Sequence, residues 1–121
     1  MPPKLTIAAT VLGAPDARAL ASFYQQLLGW DVKVEETNWV MLKPPGGGTG
    51  LSFQTEFEYV RPVWPSGPGD QQMMVHLDIS ADDLAAAVSW ALDAGAVLAE
   101  HQPQHDVRVM LDPAGHPFCL F

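Results

Sequence analysis

The sequence has little cysteine, little positive charge and no long apolar run, and each scarcity excludes a class of protein. Cys119 is the one cysteine among 121 residues, so no disulfide forms within the chain. A lone thiol fits a reducing compartment, and we therefore expect a cytoplasmic protein. A secretory leader is not indicated, because the first apolar run passes into Ala14-Pro15-Asp16 without a convincing cleavage site.

Basic residues are few: six Lys and Arg stand against fourteen Asp and Glu, which gives a net charge of −8. Nucleic-acid affinity comes largely from Lys and Arg on phosphates, so a nucleic-acid partner is excluded. Anionic membrane surfaces are disfavoured for the same reason, and no apolar stretch approaches the ~20 residues of a membrane-spanning helix. The acidic excess serves solubility or attracts a cationic ligand, and both interpretations stay open.

The hydrophobic content of 48% in 121 residues indicates one soluble domain, 1–121, with a core of its own. In module one, residues 5–55, an apolar face of helical period begins after Gly13-Ala-Pro-Asp16, with Pro15 in the first turn, and Gly29 ends it. Strand patterns precede and follow this helix, at 5–12, 30–35, 37–43 and 51–55. Residues 56–71 hold three prolines and two glycines, which predicts a connecting loop.

Module two, residues 72–121, repeats this order of elements. A strand at 72–79 precedes a helix that Ser80-Ala-Asp-Asp83 opens as a capping-box variant and Gly95 ends. Three further strands are predicted at 96–100, 106–111 and 117–121. Asp16 and Asp83 are 67 residues apart, as are Ser52 and Cys119, and a Val-Met-Leu phrase recurs at residues 40 and 109. We therefore predict an α+β fold of two tandem βαβββ modules.

The phrases that carry a family resemblance follow this same order. They are Ala14-Pro-Asp-Ala-Arg-Ala-Leu-Ala-Ser-Phe-Tyr24, Leu28-Gly-Trp30, Leu51-Ser-Phe-Gln54, His76-Leu-Asp-Ile-Ser-Ala-Asp-Asp-Leu84 and Leu111-Asp-Pro-Ala-Gly-His-Pro-Phe-Cys119. Over nearly its whole length the chain resembles the vicinal oxygen chelate superfamily, the glyoxalase, bleomycin-resistance and dioxygenase group. The motifs of the second half are most similar to those of small bacterial glyoxalase-like proteins. The resemblance implies two half-barrel modules that form a cup, and a homodimer.

The resemblance also implies where a metal would be held in metal-dependent members, namely at Ala9, Ser52, His76 and Cys119. Ala9 offers no donor atom, Ser52 offers a neutral hydroxyl, and Cys119 would serve soft metals only. One good ligand, His76, does not hold a catalytic ion. We therefore expect neither a metal nor any other cofactor at this site.

Strand alternation predicts which side chains face the cup. Parity with His76 and Cys119 selects Asp78, and places Phe53, Phe118 and Leu120 in the core. The predicted ligand-binding residues are Trp39, Met41, Ser52, Gln54, His76, Asp78, Arg108, Met110 and Cys119, with Trp64 added from the loop. A few polar groups set in apolar and aromatic surface are typical of a small-molecule pocket.

Several roles are open for these groups. His76 and Asp78 are interpreted as a satisfied polar pair, or His76 as a general base. Cys119 is expected to be a small buried residue rather than a nucleophile. Trp30, Tyr24 and Trp90 are expected in the core, and the loop aromatics Phe57, Tyr59 and Trp64, with Arg61, at a subunit interface and pocket rim.

These observations favour a metal-free, homodimeric binding protein for a small aromatic or cationic molecule, of the bleomycin-resistance kind. The alternative is a glyoxalase-like lyase or isomerase, or a dioxygenase, in which His76 acts as the base or as a divergent metal ligand. A module for protein interactions, with side chains filling the cup, is the third interpretation.

Overall fold

The computed structural model describes residues 3–121. It divides into two compact units, Met1–Phe57 and Glu58–Phe121, each of which carries one helix and one four-stranded sheet. This confirms the predicted α+β class and its two successive modules. Within residues 3–121, neither helix has the length and apolar character needed to cross a membrane.

The first unit contains β1 (Ala9–Ala14), α1 (Ala17–Leu28), β2 (Asp31–Glu35), β3 (Trp39–Lys43) and β4 (Gly50–Thr55). Its sheet has the strand order β1-β4-β3-β2, in which β1 runs parallel to β4 and the other neighbours are antiparallel. Helix α1 packs against β3 and β4. Tyr24 on α1 stacks on Phe53 of β4 with ring centroids 5.6 Å apart, and both side chains are fully buried.

Helix α1 begins at Ala17, so the prediction that Pro15 lies in its first turn was wrong. Asp16 is the N-cap in an extended conformation, and its carboxylate accepts the backbone N–H of Arg18 at 3.0 Å. Thr55 Oγ1 accepts the N–H of Ala17 at 3.0 Å, so β4 also satisfies the start of the helix. Pro15 therefore precedes the cap instead of lying in the first turn. Gly29, at φ 72°, ends the helix as predicted.

The first strand is displaced from its predicted place. Residues 5–8 lie outside it, and Leu5 and Ile7 are exposed, whereas Gly13 and Ala14 continue the ladder opposite Gln54 and Thr55. The apolar run near the N-terminus predicts a strand over residues 5–12. Pairing with β4 decides the strand's position instead, because a strand is stabilised by its partner.

The second unit contains β5 (Leu77–Ile79), α2 (Leu84–Ala94), β6 (Val97–Leu98), β7 (Arg108–Leu111) and β8 (Pro117–Leu120). Its sheet has the order β5-β8-β7-β6, with β5 parallel to β8, which repeats the topology of the first unit. Strand β5 is shorter than the predicted 72–79. The core of this sheet contains Phe118 and Leu120, as predicted.

Helix α2 is capped by Asp83, whose carboxylate accepts the N–H of Ala86 at 3.0 Å. The predicted capping box with Ser80 as the cap was wrong, because the helix starts after Asp83. Of the helix residues only Ala91 is fully buried, and Trp90, expected in the core, is 53% exposed.

The duplication is confirmed by the caps and by the strand registers. Asp16 and Asp83 cap the two helices at corresponding places. In the parallel ladders, Val11 lies opposite Ser52 in the first unit and Asp78 lies opposite Cys119 in the second. Both members of the second pair are 67 positions after those of the first, so the parallel strands keep one register through the repeat.

Candidate functional site

The candidate site is a cluster of three side chains on one face of the second sheet. His76 directly precedes β5 and Asp78 is its central residue, so the two side chains project on the same side. Asp78 lies opposite Cys119 in the parallel β5–β8 ladder, which brings the thiol to the same face. Sequence parity predicted this grouping, and the structure confirms it.

The polar atoms of the three side chains lie close together. His76 Nε2 lies 3.2 Å from Asp78 Oδ1, although residues two apart on a strand need not bond. The ligand atoms of His76, Asp78 and Cys119 all lie within 4.8 Å of one another. The Asp78 side chain remains 61% exposed, so the cluster is open to solvent.

Burial raises the pKa of the Cys119 thiol, and the Asp78 charge and hydrogen bond raise it further. At neutral pH the thiol therefore stays protonated and donates to the carboxylate. A protonated thiol is a poor nucleophile, which agrees with the expectation that Cys119 does not attack a substrate. When the His76 Nε2 proton points to Asp78, His76 Nδ1 is left as the acceptor available to a ligand.

In the first unit, the structure places Trp39, Met41, Ser52 and Gln54 on one face, as predicted. Trp39 pairs with Gln54 and Met41 with Ser52 across the antiparallel β3–β4 ladder. The Ser52 hydroxyl is fully buried and has no hydrogen-bond partner among the described residues. A buried hydroxyl without a partner costs about 1–3 kcal/mol, so Ser52 is a strained position in this face.

Gln54 has a neighbour that the sequence did not reveal. Its amide Nε2 donates to Glu56 Oε1 at 2.7 Å, and Glu56 Cγ lies against the backbone of Gly13. Glu56 was assigned to the connecting loop, but its backbone N–H bonds to Ala14 at 2.8 Å. The alternation of side chains beyond Gln54 was the available signal, since residue 56 has the same parity as residue 54.

The predicted faces of Arg108 and Met110 were wrong. Met110 lies opposite Phe118 in the antiparallel β7–β8 ladder and is fully buried, so it belongs to the core face. Val109 takes the place opposite Cys119. Arg108 lies opposite Leu120, and its guanidinium donates to the carbonyls of His105 and Val107. Neither side chain joins the cluster of His76, Asp78 and Cys119.

The aromatic loop is tied to its own unit. Tyr59 Oη donates to the Ala114 carbonyl at 2.7 Å, and Arg61 Nη1 donates to the Pro113 carbonyl at 3.0 Å. Trp64 Nε1 donates to the His101 carbonyl at 3.2 Å, and the two rings are 5.9 Å apart. Ligand binding by Trp64 stays a prediction. Phe57, in contrast, is 84% exposed.

Tyr59 and the β7–β8 turn form a compact polar arrangement. Asp112 is buried, and its Oδ1 accepts the N–H groups of Ala114 and His116, both at 2.9 Å. Tyr59 Oη also lies 3.3 Å from His116 Nε2. Burial of the phenol and the nearby Asp112 charge raise the pKa of Tyr59 to about 12, while Arg61 opposes this effect.

The sequence profile of the glyoxalase-like domain family matches residues 9–121, nearly the whole chain. The chain belongs to this family. No curated protein matches the sequence at a significant level.

Among solved structures, a glyoxalase/bleomycin resistance/dioxygenase family enzyme from Burkholderia phytofirmans PsJN has a TM-score of 0.72 and 19% identity over 96% of this chain and 97% of its own. A lactoylglutathione lyase from Agrobacterium tumefaciens has a TM-score of 0.63 and 19% identity, with 98% and 94% of the two chains covered. An antibiotic-binding protein from Streptomyces sp. CB03234 has a TM-score of 0.62 and 18% identity over 99% and 96%. The fold of this glyoxalase-like domain is thus shared by enzymes and by a binding protein.

The metal positions implied by the superfamily resemblance do not supply a ligand set. Ala9 has no donor atom, and the Ser52 hydroxyl is neutral and buried. His76, Asp78 and Cys119 offer one nitrogen, one oxygen and one sulfur within 4.8 Å instead. Such a mixed set suits a thiophilic ion such as Zn²⁺, which would have to displace the thiol proton. The expectation that this glyoxalase-like domain works without a metal stays a prediction.

Proposed function

We propose that this glyoxalase-like domain binds a small aromatic cation without a metal and acts by sequestering it. The observation that carries the proposal is the exposed Asp78 carboxylate, whose partners are an imidazole and a protonated thiol. Among residues 3–121 no Lys or Arg forms a salt bridge with Asp78. Its negative charge is therefore available to a cationic ligand.

The net charge of −8 supports the same ligand class, because an acidic protein raises the local concentration of cations. The aromatic part of the proposal rests on the sequence-based prediction that Trp39 and Met41 are ligand-binding residues. An indole ring and a flexible thioether are suited to stacking on a flat ring. The antibiotic-binding neighbour indicates that the fold is compatible with sequestration.

A thermal-shift screen tests this function. Planar aromatic cations are compared with anions of similar ring size, each in large excess over the protein. A ligand at a hundred times its Kd adds about 2.7 kcal/mol to the free energy of unfolding. We expect cations alone to stabilise the protein. If no cation raises the melting temperature, the proposal is wrong.

The Asp78→Asn variant localises the effect. It keeps the size of the side chain and removes its charge, so stabilisation by the cation should be lost. Asp93→Asn is the matched control, because Asp93 is an exposed carboxylate on α2 away from the cluster. Equal loss in both variants would mean that net charge alone attracts the ligand.

A metal-dependent lyase, isomerase or dioxygenase is the second candidate, favoured by the convergence of three different donor types within 4.8 Å. Here His76, Asp78 and Cys119 would hold a divalent ion that polarises a substrate oxygen. Protein prepared without a histidine tag is titrated with Co²⁺ and followed by absorption spectroscopy. A sulfur-to-cobalt charge-transfer band that disappears in Cys119→Ser would support this candidate and overturn the metal-free proposal. Absence of the band would favour the metal-free proposal.

We further propose that the protein acts as a homodimer in a reducing compartment. Exposed apolar side chains, among them Trp90, Val97 and Leu98, support association. The unpaired Cys119 is consistent with a reducing environment. Sedimentation at several concentrations tests the dimer, and a constant monomer mass would contradict it.

A further inference from the structure

A groove in the first unit lies where β2 begins and β3 ends. Its volume is about 410 Å³, which is in the range of small-molecule sites. Its lining consists of Asp31–Lys33, Lys43 and the Pro44–Gly48 turn. None of these residues belongs to the His76 cluster.

Two of the six basic residues of this acidic chain line the groove, Lys33 and Lys43. Three other cations are engaged elsewhere: Arg18 pairs with Glu35 at 3.0 Å, and Arg61 and Arg108 bind loop carbonyls. Lys33 makes no hydrogen bond or ion pair with any described residue. Its ammonium group is free to meet an anion.

A β-bulge places Lys33 at the groove. Val32 lies opposite Leu42 and Val34 opposite Met41, so Lys33 is the extra residue of β2 with no partner in the ladder. Such an insertion turns a side chain away from the regular alternation. Lys43, at the end of β3, reaches the Ala8 carbonyl only at 3.5 Å.

The glycine turn adds backbone donors. Gly46, Gly47 and Gly48 have φ values of 81°, 90° and 106°. Gly47 donates to the Pro44 carbonyl, whereas the Gly46 and Gly48 amides donate to no residue in the described part of the chain. A Cβ at Gly46 or Gly47 would meet nothing within 4 Å, so the turn is open to solvent. Free N–H groups in a concave turn beside lysines attract anions.

We propose that this groove binds a small molecule that carries a phosphate group. The phosphate accepts hydrogen bonds from the Gly46 and Gly48 amides and pairs with Lys33 and Lys43. Asp31 is the one carboxylate of the lining and lies opposite Lys43 in the β2–β3 ladder. Its carboxylate accepts a hydrogen bond from a hydroxyl group of the same ligand. The overall negative charge does not prevent binding, because charges farther than about 8 Å are screened at physiological ionic strength.

Inorganic phosphate is the first probe. It is titrated into ¹⁵N-labelled full-length protein at constant ionic strength, and the amide resonances are followed. We expect saturable shifts at Gly46–Gly48. The Lys33→Gln, Lys43→Gln double variant should bind at least about tenfold more weakly, because it removes both ammonium groups that would pair with the phosphate. Shifts that do not saturate, or that persist in the double variant, overturn the proposal.

Lys4→Gln is the matched control, since Lys4 is exposed and does not line the groove. Lys4→Gln should leave phosphate binding unchanged. If it weakens binding as much as the double variant does, the loss of net positive charge explains the effect and the groove does not. Glycerol 3-phosphate is the second probe and should bind more tightly than inorganic phosphate. Asp31→Asn should remove that difference, and its persistence would contradict the role given to Asp31.

Discussion

Asp78 on β5 lies directly opposite Cys119 on β8, and its carboxylate accepts a hydrogen bond from the thiol. Each residue alone is ordinary for a strand in an acidic protein. Together, burial and the Asp78 carboxylate raise the pKa of the thiol and keep it protonated at neutral pH. The state of this proton controls whether the thiol can react and whether a metal can bind.

The first prediction concerns the reactivity of Cys119. Burial and Asp78 raise its pKa, so only a small fraction is thiolate at pH 8 and alkylation by iodoacetamide should be slow. Asp78→Asn removes both contributions of the carboxylate, lowers the pKa and should speed alkylation severalfold. Mass spectrometry over time measures the rate. Asp93→Asn should not change it, and an unchanged rate in Asp78→Asn would contradict the assigned contact.

The second prediction concerns Gly115, which has a φ of 92° and lies against the Arg61 side chain. Gly115→Ala should lower the free energy of unfolding by about 3 kcal/mol, combining backbone strain with a clash. Gly29→Ala is the control, since Gly29 also has a positive φ but open space around it, and should cost about 1 kcal/mol. Urea unfolding measures both. If both variants lose the same free energy of unfolding, the Arg61 side chain moves aside without cost and the predicted clash is absent.

The third prediction concerns the Ser52 hydroxyl, which is buried and has no hydrogen-bond partner within residues 3–121. Ser52→Ala should raise the free energy of unfolding by about 1 kcal/mol, because it removes an unsatisfied polar group. Ser22→Ala on the exposed side of α1 should have little effect. Thermal unfolding compares the two variants. A destabilised Ser52→Ala would mean that the hydroxyl has a partner in solution.

The fourth prediction tests the register of β7. Met110 is fully buried opposite Phe118, so Met110→Ala should cost about 2–5 kcal/mol. Met41, at the corresponding place in the Val-Met-Leu phrase, is only half-buried, and Met41→Ala should cost less. Chemical denaturation gives both values. The reverse order would place Met110 on the Cys119 face after all.

The fifth prediction concerns alkaline stability. The pKa of Tyr59 is about 12 in the folded protein, above the ordinary value of 10.0. Above pH 10 the unfolded state therefore loses a proton that the folded state keeps, and stability should fall as the pH rises. Tyr59→Phe should lose about 1 kcal/mol at pH 7 with the hydrogen bond to Ala114, and its stability should fall less between pH 10 and 12. Parallel pH dependences would contradict the shifted pKa.

Local patterns predicted most of the fold. The apolar period of α1 and the glycines that end both helices depend on nearby residues, and the sequence predicted them. The N-caps at Asp16 and Asp83 were not predicted, because Pro15 suits a first turn and Ser80 suits a cap equally well. The cluster of His76, Asp78 and Cys119 followed from strand parity and from the spacing of 67 residues. These features are fixed by steric and hydrogen-bond rules that act over a few positions.

The prediction was wrong where pairing between strands decides the outcome. The Val-Met-Leu phrases are 69 residues apart, whereas the strands they pair with, β4 and β8, follow the spacing of 67. Val40 consequently lies opposite Phe53, but Val109 lies opposite Cys119. A slip of one residue moves every side chain to the other face, so Met110 entered the core. The length of the turn between β7 and β8 sets this register. The repeated Val-Met-Leu phrase predicted the same register in both units and was therefore misleading.

The attachments of Tyr59, Arg61 and Trp64 have a consequence for experiments on separated halves. A fragment that starts at Glu58 keeps the bonds to Ala114, Pro113 and His101, whereas a fragment that starts at Gln72 loses all three. Residues 58–71 therefore belong structurally to the second unit, because they donate these three hydrogen bonds to it. A fragment of the second unit should therefore begin at Glu58, although the prolines of residues 62–68 resemble a linker at which a fragment would normally be divided.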